Sequence, residues 1–409
     1  MIVSAVASFR ARLARDDRGI ALVLGAAALV VYLALIVGHR TPFDYFGRLA
    51  YAVWQGRLWL DGAPLAEIEA GRDGHFYNVE PPLPAVLALP LVPLGAHDEI
   101  EVFVSALFGA LSIVPLFLGL RALSVPRAVA IWCAVLSAFG TTLLFTSVDG
   151  RSWFAAHATA VFFLSLALYL AAARRSAFFI GACVGAAALA RTPTALAVPG
   201  LLLLARRDGT STRDLFRSAL LVGAGALPFA LVQGGYDLLR WGNPLDIYGP
   251  QLHQATDPAF ARGFMSLSYI PRKLYAIFIE PPAFVDNEPF FFLRPRGYGM
   301  SLLFTTPALL WVVPGNVRLW RAARWRAVGL CAVLVSLPGW LFATVGYQQY
   351  GYRYSLDLQP FLIVLVAVGA AWTPAGWQRP SGLFVGAVVL SVLLSAYFLV
   401  TIRLFGFAA

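Results

Sequence analysis

Charge is scarce in this chain. Of its 409 residues only 13% are Asp, Glu, Lys or Arg, about half the share found in an average soluble domain. That deficit excludes an ordinary soluble globule and a charged disordered chain alike. Lysine is nearly missing, since the 31 basic residues include only Lys273. Cysteine is rare too: Cys133, Cys183 and Cys331 each lie inside an apolar run, which argues against a disulfide framework and against a thiolate metal site. Several catalytic signatures are absent. There is no Walker-type loop, no His-Glu-x-x-His helix, no Gly-x-Ser-x-Gly elbow and no Asp-x-Asp pair, so a cytosolic nucleotide-sugar donor is not expected. His75, His97, His157 and His253 are far apart in sequence, and no metal is assigned.

What remains is apolar. The hydrophobic set makes up 59% of the chain, with 36 Gly and 26 Pro spread through it, and the mean hydropathy is +0.73. This is the composition of a polytopic membrane protein. A bilayer core about 30 Å thick asks for about 20 apolar residues per helix. On that basis the sequence predicts helices near 20–38, 101–120, 128–147, 154–173, 177–190, 194–205, 217–238, 301–317, 327–345, 359–373 and 382–402, an all-α bundle of about 11 transmembrane helices in a single integral membrane domain over 1–409. The pair after residue 177 is interrupted at Ala190-Arg191-Thr192-Pro193 and reads either as one kinked helix or as two that meet. The first run follows Arg10, Arg12, Arg15 and Arg18, but it is longer than a signal-peptide core and reads as a retained first membrane helix.

Charge sets the expected orientation. With the amino terminus in the cytoplasm, the short inner segments hold Arg10 to Arg18, Arg121, Arg127, Arg174, Arg175, Arg206 to Arg217, Arg318 to Arg326 and Arg379. That satisfies the positive-inside rule, so the net charge of +10 needs no nucleic acid partner. Of the acidic residues only Asp16, Asp17, Asp208 and Asp214 are then inside, and every histidine is outside or at the outer rim. The polar chemistry therefore faces the non-cytoplasmic side of a cell inner (plasma) membrane.

Two outer segments are long, 39–100 and 239–300. In the first, Phe46, Leu49, Ala50, Val53 and Trp54 recur at helical spacing between Asp44, Arg48, Gln55 and Arg57, which predicts an amphipathic juxtamembrane helix within Phe43 to Leu60. A second apolar stretch, Pro81 to Leu94, is too short and proline-rich to span and suits a re-entrant or interfacial helix. Counting it as a span would reverse every later loop and spoil the charge rule.

The candidate chemistry lies in these outer segments. Asp44 opens the amphipathic helix, where it serves either the helix dipole or a cavity at the membrane boundary. Asp73, His75, Tyr77 and Glu80 cluster just before a proline pair, either as a site or as a solvated turn around Asp73-Gly74. Asp149 and Arg151 read as a structural pair or as substrate contacts, with Trp153 and His157 close behind. Arg191, in an apolar stretch, requires a carboxylate or a bound anion. In Gln348-Gln349-Tyr350-Gly351-Tyr352-Arg353-Tyr354-Ser355-Leu356-Asp357 an arginine is flanked by tyrosines, a planar fork suited to phosphate beside hydroxyl donors for a sugar. The alternative is an aromatic-belt segment with Arg353 and Asp357 paired at helical spacing. Trp54, Trp59, Tyr77, Trp153, Tyr248 and Tyr352 fit stacking on a sugar ring or an interfacial belt equally well. The scattered Asp246, Tyr248, His253, Arg272, Lys273, Glu280, Asp286 and Glu288 of the second segment support no spacing argument.

On four features together the chain resembles the GT-C superfamily of membrane glycosyltransferases, in particular the branch with protein O-mannosyltransferases and aminoarabinose transferases. These are an Asp in an amphipathic segment after the first helix (Asp44 to Gln55), a Tyr-x-x-x-Pro-Pro-Leu segment leading a short apolar helix (Tyr77 to Leu94), a small-residue helix (Val104 to Leu120), and a Gly-x-Arg-Tyr-x-x-x-x-x-Pro motif before a late helix (Gly351 to Pro360). One departure is Glu80, where relatives often carry a basic residue. The resemblance implies a polyprenyl-monophosphate sugar as donor and a glycan, lipid or protein hydroxyl as acceptor. It also implies inversion with Asp44 as general base, donor contacts from Arg353, Arg191, Arg151, Tyr352 and Tyr354, and no required cofactor or divalent metal. Asp73, His75, Tyr77, Glu80 and Gln348 are left for acceptor or sugar. A transporter or flippase of an amphiphilic substrate is the alternative, though no internal repeat is present, and a polymerase or ligase with a diphosphate donor is a third.

Overall fold

The computed structural model describes residues 16–62, 68–206, 209, 211–245, 258–285, 290, 292–373 and 375–408. Arg10, Arg12, Arg15, Arg207, Asp208, Asp246, Tyr248, His253, Asp286 and Glu288 lie outside the described residues. In chain order come α1 (Asp17–Ile36), α2 (Tyr45–Trp54), the hairpin of β1 (Ile68–Ala70) and β2 (Phe76–Asn78), and α3 (Leu83–Ala88), which continues as a 3-10 stretch over Leu89–Leu94. Then follow α4 (His97–Leu111), α5 (Ile113–Ala122), α6 (Arg127–Phe139), α7 (Thr142–Asp149), α8 (Ser152–Ala172) and α9 (Ala177–Ala188). A 3-10 turn (Thr192–Ala197) opens α10 (Val198–Ala205), and α11 (Thr212–Trp241) comes next. The second half holds α12 (Ile270–Phe278), β3 (Ala283–Phe284) paired with β4 (Leu293–Arg294), α13 (Leu302–Thr305), α14 (Val312–Leu319) and α15 (Ala323–Leu341). A 3-10 turn (Arg353–Leu358) leads α16 (Gln359–Ala371), and α17 (Gly382–Phe405) closes the order.

Six of these helical stretches are long and apolar enough to cross a membrane: α1, α4 with α5, α8, α11, the 3-10 turn with α16, and α17. The pair α6 and α7, bent by 44°, makes a seventh if it is one span. The chain is a multi-pass membrane protein. Each of the eleven expected runs holds helix, but α9, α10 and the α13 to α14 run are shorter or interrupted, and α15 carries Arg324 and Arg326 in its first turn. The interruption at Arg191 separates two helices. The all-α bundle stands, with three short two-stranded antiparallel pairs in its connecting segments among the described residues. The first forms because Gly74, at φ +81°, turns the chain at Asp73-Gly74 so that Ile68 faces Asn78.

Local chemistry explains the breaks. Pro115 stands at the third position of α5 and has no N–H for residue 111, so the long span breaks at Ser112. Thr141 caps α7 by accepting from the Leu143 amide at 3.2 Å, just after the helix of α6 stops at Gly140. At the far end of α7, Gly150 adopts φ +71°, and a side chain there would meet the Val102 backbone at 2.6 Å. Only glycine lets the chain reverse into α8 at that point.

Apolar side chains cover both inside and outside. Leu22, Val23 and Val30 on α1, Leu220, Leu227 and Leu231 on α11, and Leu383, Leu393 and Leu404 on α17 are exposed, as lipid-facing helices require. α8 is the central element, with Phe154, Ala155, Val161, Leu164 and Leu168 buried against its neighbours. At one end of the bundle Asp17 takes Arg121 and Arg127 at 2.9 Å each. At the other end the long connecting segments dock. There the Ser152 amide donates to Phe43 O, Leu83 to Leu189 O, Arg72 to Arg240 O and Ala343 to Phe264 O, at 2.9 to 3.1 Å. The candidate residues are at this end.

Candidate functional site

The turn before α16 is the centre of the site. Gly351, at φ +68°, allows the chain to fold under Gln349, whose Oε1 accepts from the Arg353 amide at 3.2 Å while its Nε2 donates to Tyr298 O and Val345 O. This fixes Tyr352, Arg353 and Tyr354 as a buried group; Arg353 is 7% exposed. The Arg353 guanidinium lies over Tyr354, Trp153 and Phe154, with ring centroids 5.1, 5.6 and 5.8 Å away. Its Nη2 reaches Tyr354 Oη at 3.4 Å, but Nε and Nη1 are buried with no hydrogen-bond partner among the described residues.

Asp357, one turn further, does not pair with Arg353. The expected pair at helical spacing is replaced by a buried triad, because this turn has 3-10 geometry and aims the carboxylate across the bundle. Asp357 accepts from Arg191 Nε and Nη2 at 3.2 and 3.1 Å, and His157 Nδ1 stands 2.9 Å away. Arg191 thus has the carboxylate that its depth demanded, and it also lies 5.7 Å from the Tyr354 ring. His157 comes from α8 and Arg191 from the break before α10, so three distant segments are joined. Asp357→Asn takes from Arg191 the charged acceptor of its Nε and Nη2, a loss of up to about 3–5 kcal/mol. The expected result is a lower unfolding temperature in detergent for Asp357→Asn. Arg191→Gln in the same chain restores part of it, because the charge that lost its carboxylate is then gone.

Glu80 enters from the first long segment. Its backbone is clamped from below. Arg240 of α11, itself fully buried, donates to the carbonyls of Asn78 and Glu80, stacks over Tyr236 and Trp241 at 4.1 and 5.1 Å, and pairs with Asp237. Leu83 is tied to Leu189, next to Arg191. The Glu80 carboxylate bonds to none of the described residues and sits in the field of Arg191, Arg353, Asp357 and Arg240. Burial raises its pKa above the ordinary carboxylate value, against the pull of Arg191 and Arg353.

Lys273 completes the group from α12. It is fully buried, its Nζ donates to Thr344 O, and it stands 5.3 Å from the Tyr354 ring and 5.9 Å from those of Tyr352 and Phe342. Tyr352 in turn donates to Gly339 O at 3.1 Å. Among the described residues neither Arg353 nor Lys273 has a carboxylate partner. The site is therefore a buried cluster of cations and phenols in which, among the described residues, Asp357 is already taken by Arg191 and His157.

The remaining candidates stand apart from this cluster. Asp44, 1% exposed at the start of α2, is held by Arg48 Nε at 2.6 Å and by His97 Nδ1. Gly47 makes this possible, since a side chain there would lie 2.1 Å from His97 O. Next to Asp44, Phe43 packs on Trp153 at 4.9 Å, so one aromatic pair separates the Asp44 group from Arg353. Arg151 bonds Gln348 Oε1 at 2.7 Å and Asp149 at 3.1 Å, and it lies 5.6 Å from the Phe43 ring. On the β1–β2 hairpin, His75 stacks on Trp59 at 4.3 Å and Tyr77 donates to Asp73 at 2.8 Å. Against desolvation, which raises it, hydrogen bonds from Tyr77 and His75 pull the Asp73 carboxyl down to about 2. Sequence reasoning brought forward Glu80, Arg191, Tyr352, Arg353 and Tyr354, which do meet. It missed the roles of His157, Asp357, Arg240 and Lys273. Only Lys273 carried a signal, as the lone lysine of the chain.

Among solved structures the chain is similar to the S. cerevisiae protein O-mannosyltransferase Pmt1-Pmt2 complex bound to the sugar donor. The match has 18% identity and a TM-score of 0.36, and covers 61% of this chain and 36% of that one. It is also similar to the Archaeoglobus fulgidus oligosaccharyltransferase tethered with an acceptor peptide, at 13% identity and a TM-score of 0.45, over 92% of this chain and 55% of that one. The chain thus spans between about a third and about half of the length of these two structures. No family model and no curated protein matches it.

Proposed function

We propose that this protein is a GT-C-type membrane glycosyltransferase that moves a sugar from a polyprenyl-monophosphate carrier to an acceptor hydroxyl on the non-cytoplasmic face of the inner membrane. The observation that carries this reading is Arg353. A guanidinium 7% exposed, with Nε and Nη1 unpartnered, holds two buried donors that no described residue answers, and an anion such as a phosphate supplies acceptor oxygens for them. The Tyr354 ring joins it to Lys273, which also lies near Tyr352, and to Arg191, itself tied to Asp357. The group lies at the bundle end opposite Arg121 and Arg127, which is the outer end when the basic loops are cytoplasmic.

In this reading the donor is a phosphodiester between sugar and lipid. The acceptor oxygen attacks the anomeric carbon from the side opposite the phosphate, and its proton passes to a carboxylate. The bond from the anomeric carbon to the phosphate oxygen breaks with its electron pair going to that oxygen, so the phosphate gains a second negative charge and the anomeric centre inverts. Arg353 stabilises the charge as it grows. Asp44 is the base in this proposal. To take the proton it must exchange Arg48 or His97, whose side chains are 36% and 39% exposed against 1% for Asp44. Glu80, Asp73, His75, Tyr77 and Gln348 are left to hold sugar or acceptor hydroxyls, with Arg151 positioning Gln348. The reading assigns no metal and no cofactor.

The test is transfer of labelled sugar by membranes carrying the protein, offered the same sugars on polyprenyl monophosphate, polyprenyl diphosphate and nucleotide carriers. Transfer from the monophosphate series alone is expected. Transfer from a diphosphate only, or none with well-folded protein and acceptor present, overturns the proposal.

A further inference from the structure

A chain with one lysine among its 31 basic residues has folded that lysine into its interior. α12 turns Leu274, Tyr275 and Phe278 outward and Lys273, Ala276 and Ile277 inward. The neighbours of Lys273 come from three places. Its own helix contributes Arg272, the turn before α16 contributes Arg353, Tyr352 and Tyr354, and the chain after α15 contributes Phe342 and the Thr344 carbonyl. Two are cations, and no described carboxylate pairs with it. One carbonyl and three ring faces are a thin shell for a buried ammonium. An arginine in its place would hold its charge at any ordinary pH, whereas a lysine can shed it.

We propose that Lys273 completes the anion site with Arg353, and that capture of a lipid phosphate there draws one proton from water onto its amine. This rests on the proposed monophosphate donor and adds a proton to the binding step. Burial, then the charges of Arg272 and Arg353, pull the Lys273 ammonium down to about 7. Below that pH the lysine is charged in both the empty and the filled site, so binding takes up nothing. Above it the empty site holds the amine and the filled site holds the ammonium, because the phosphate favours the charged form. Each binding event then consumes a proton, and affinity falls by up to about tenfold per pH unit. A phosphate monoester loses its second proton near pH 6, so its own titration does not produce a loss at higher pH.

The experiment is calorimetric titration of the full-length protein in detergent with farnesyl phosphate, and with farnesol as the uncharged control. Runs at about pH 6.5, 7.5 and 8.5, in two buffers of unlike ionisation enthalpy, count the protons taken up. The expected result for the wild type is tighter binding of the phosphate than of the alcohol, proton uptake approaching one at the highest pH, and affinity falling between the upper two. Lys273→Arg is expected to bind with no proton uptake and a flat profile, and Lys273→Met to bind weakly and flatly. The wild-type proton count stands even if neither variant folds. A preference for the phosphate with no proton uptake overturns this inference and leaves the donor reading intact. Equal binding of phosphate and alcohol, or binding of neither, overturns the donor reading and this inference with it.

Discussion

Asp44→Asn is expected to lower sugar transfer by about 10² to 10⁴, the usual contribution of a positioned general base, while the protein still reaches the membrane and melts within a few degrees of the wild type. The substitution keeps the shape of the side chain and removes its charge. Asp44 also pairs with Arg48 and His97, so a loss of activity by itself does not separate a base from a structural acid. Arg48→Gln supplies the separation. It removes the half-exposed partner of the same ion pair and leaves the buried Asp44 carboxylate with His97. If Asp44 is the base, Arg48→Gln keeps transfer within a few fold, because the carboxylate survives and is freer to act. Equal losses in the two variants would assign Asp44 to holding α2 against α4 and not to chemistry.

The second large effect is expected at Arg353. Arg353→Gln keeps a planar polar group under the Tyr354 ring but removes the charge and one arm of the fork. Loss of a single preorganised donor to developing negative charge costs about 10² to 10³ in rate, and that is the expected fall in kcat/KM for a polyprenyl-monophosphate sugar. Arg353→Lys is expected to recover little, because an ammonium does not reproduce the parallel donors of a guanidinium. The unpartnered Nε and Nη1 make this a site of low structural cost, since no protein acceptor is abandoned when they go. A variant with unchanged kcat/KM would remove Arg353 from the donor site and with it the main support for a phosphate ligand.

Lipid-facing and core residues are apolar alike, so the runs that make helices were visible as plain hydropathy, without any contact being known. α1, the α4 to α5 span, α8, α11 and α17 all fall where the apolar runs do. The amphipathic helix of the first long segment was visible for the same reason, as α2 buries Phe46, Leu49 and Ala50 and exposes Trp54. Less visible was where a run breaks. Pro115 and the Gly140-Thr141 step interrupt helices whose hydropathy continues across them; the expected count of spans exceeded the number of described helices long enough to cross because α9, α10 and the α13 to α14 run are short or interrupted and α15 opens with Arg324 and Arg326.

Among the site residues, composition around Arg353 and Arg191 was informative because a guanidinium in an apolar or aromatic setting has to be answered by something. What answers it is not local. Asp357 faces Arg191, 166 residues away in sequence, rather than Arg353 one turn away, because a 3-10 turn rotates the carboxylate out of helical register. Arg240 supports Glu80 across a separation of 160 residues. Sequence by itself determined a multi-pass helical membrane protein with its chemistry gathered at one end, since burial in lipid is priced residue by residue along the chain. Tertiary structure alone decided which charges are spent on each other and which remain free. A buried charge is settled by the partner that reaches it in space, and here Asp357 reaches Arg191 and His157 while Arg353 and Lys273 both lie against the Tyr354 ring with no carboxylate partner among the described residues.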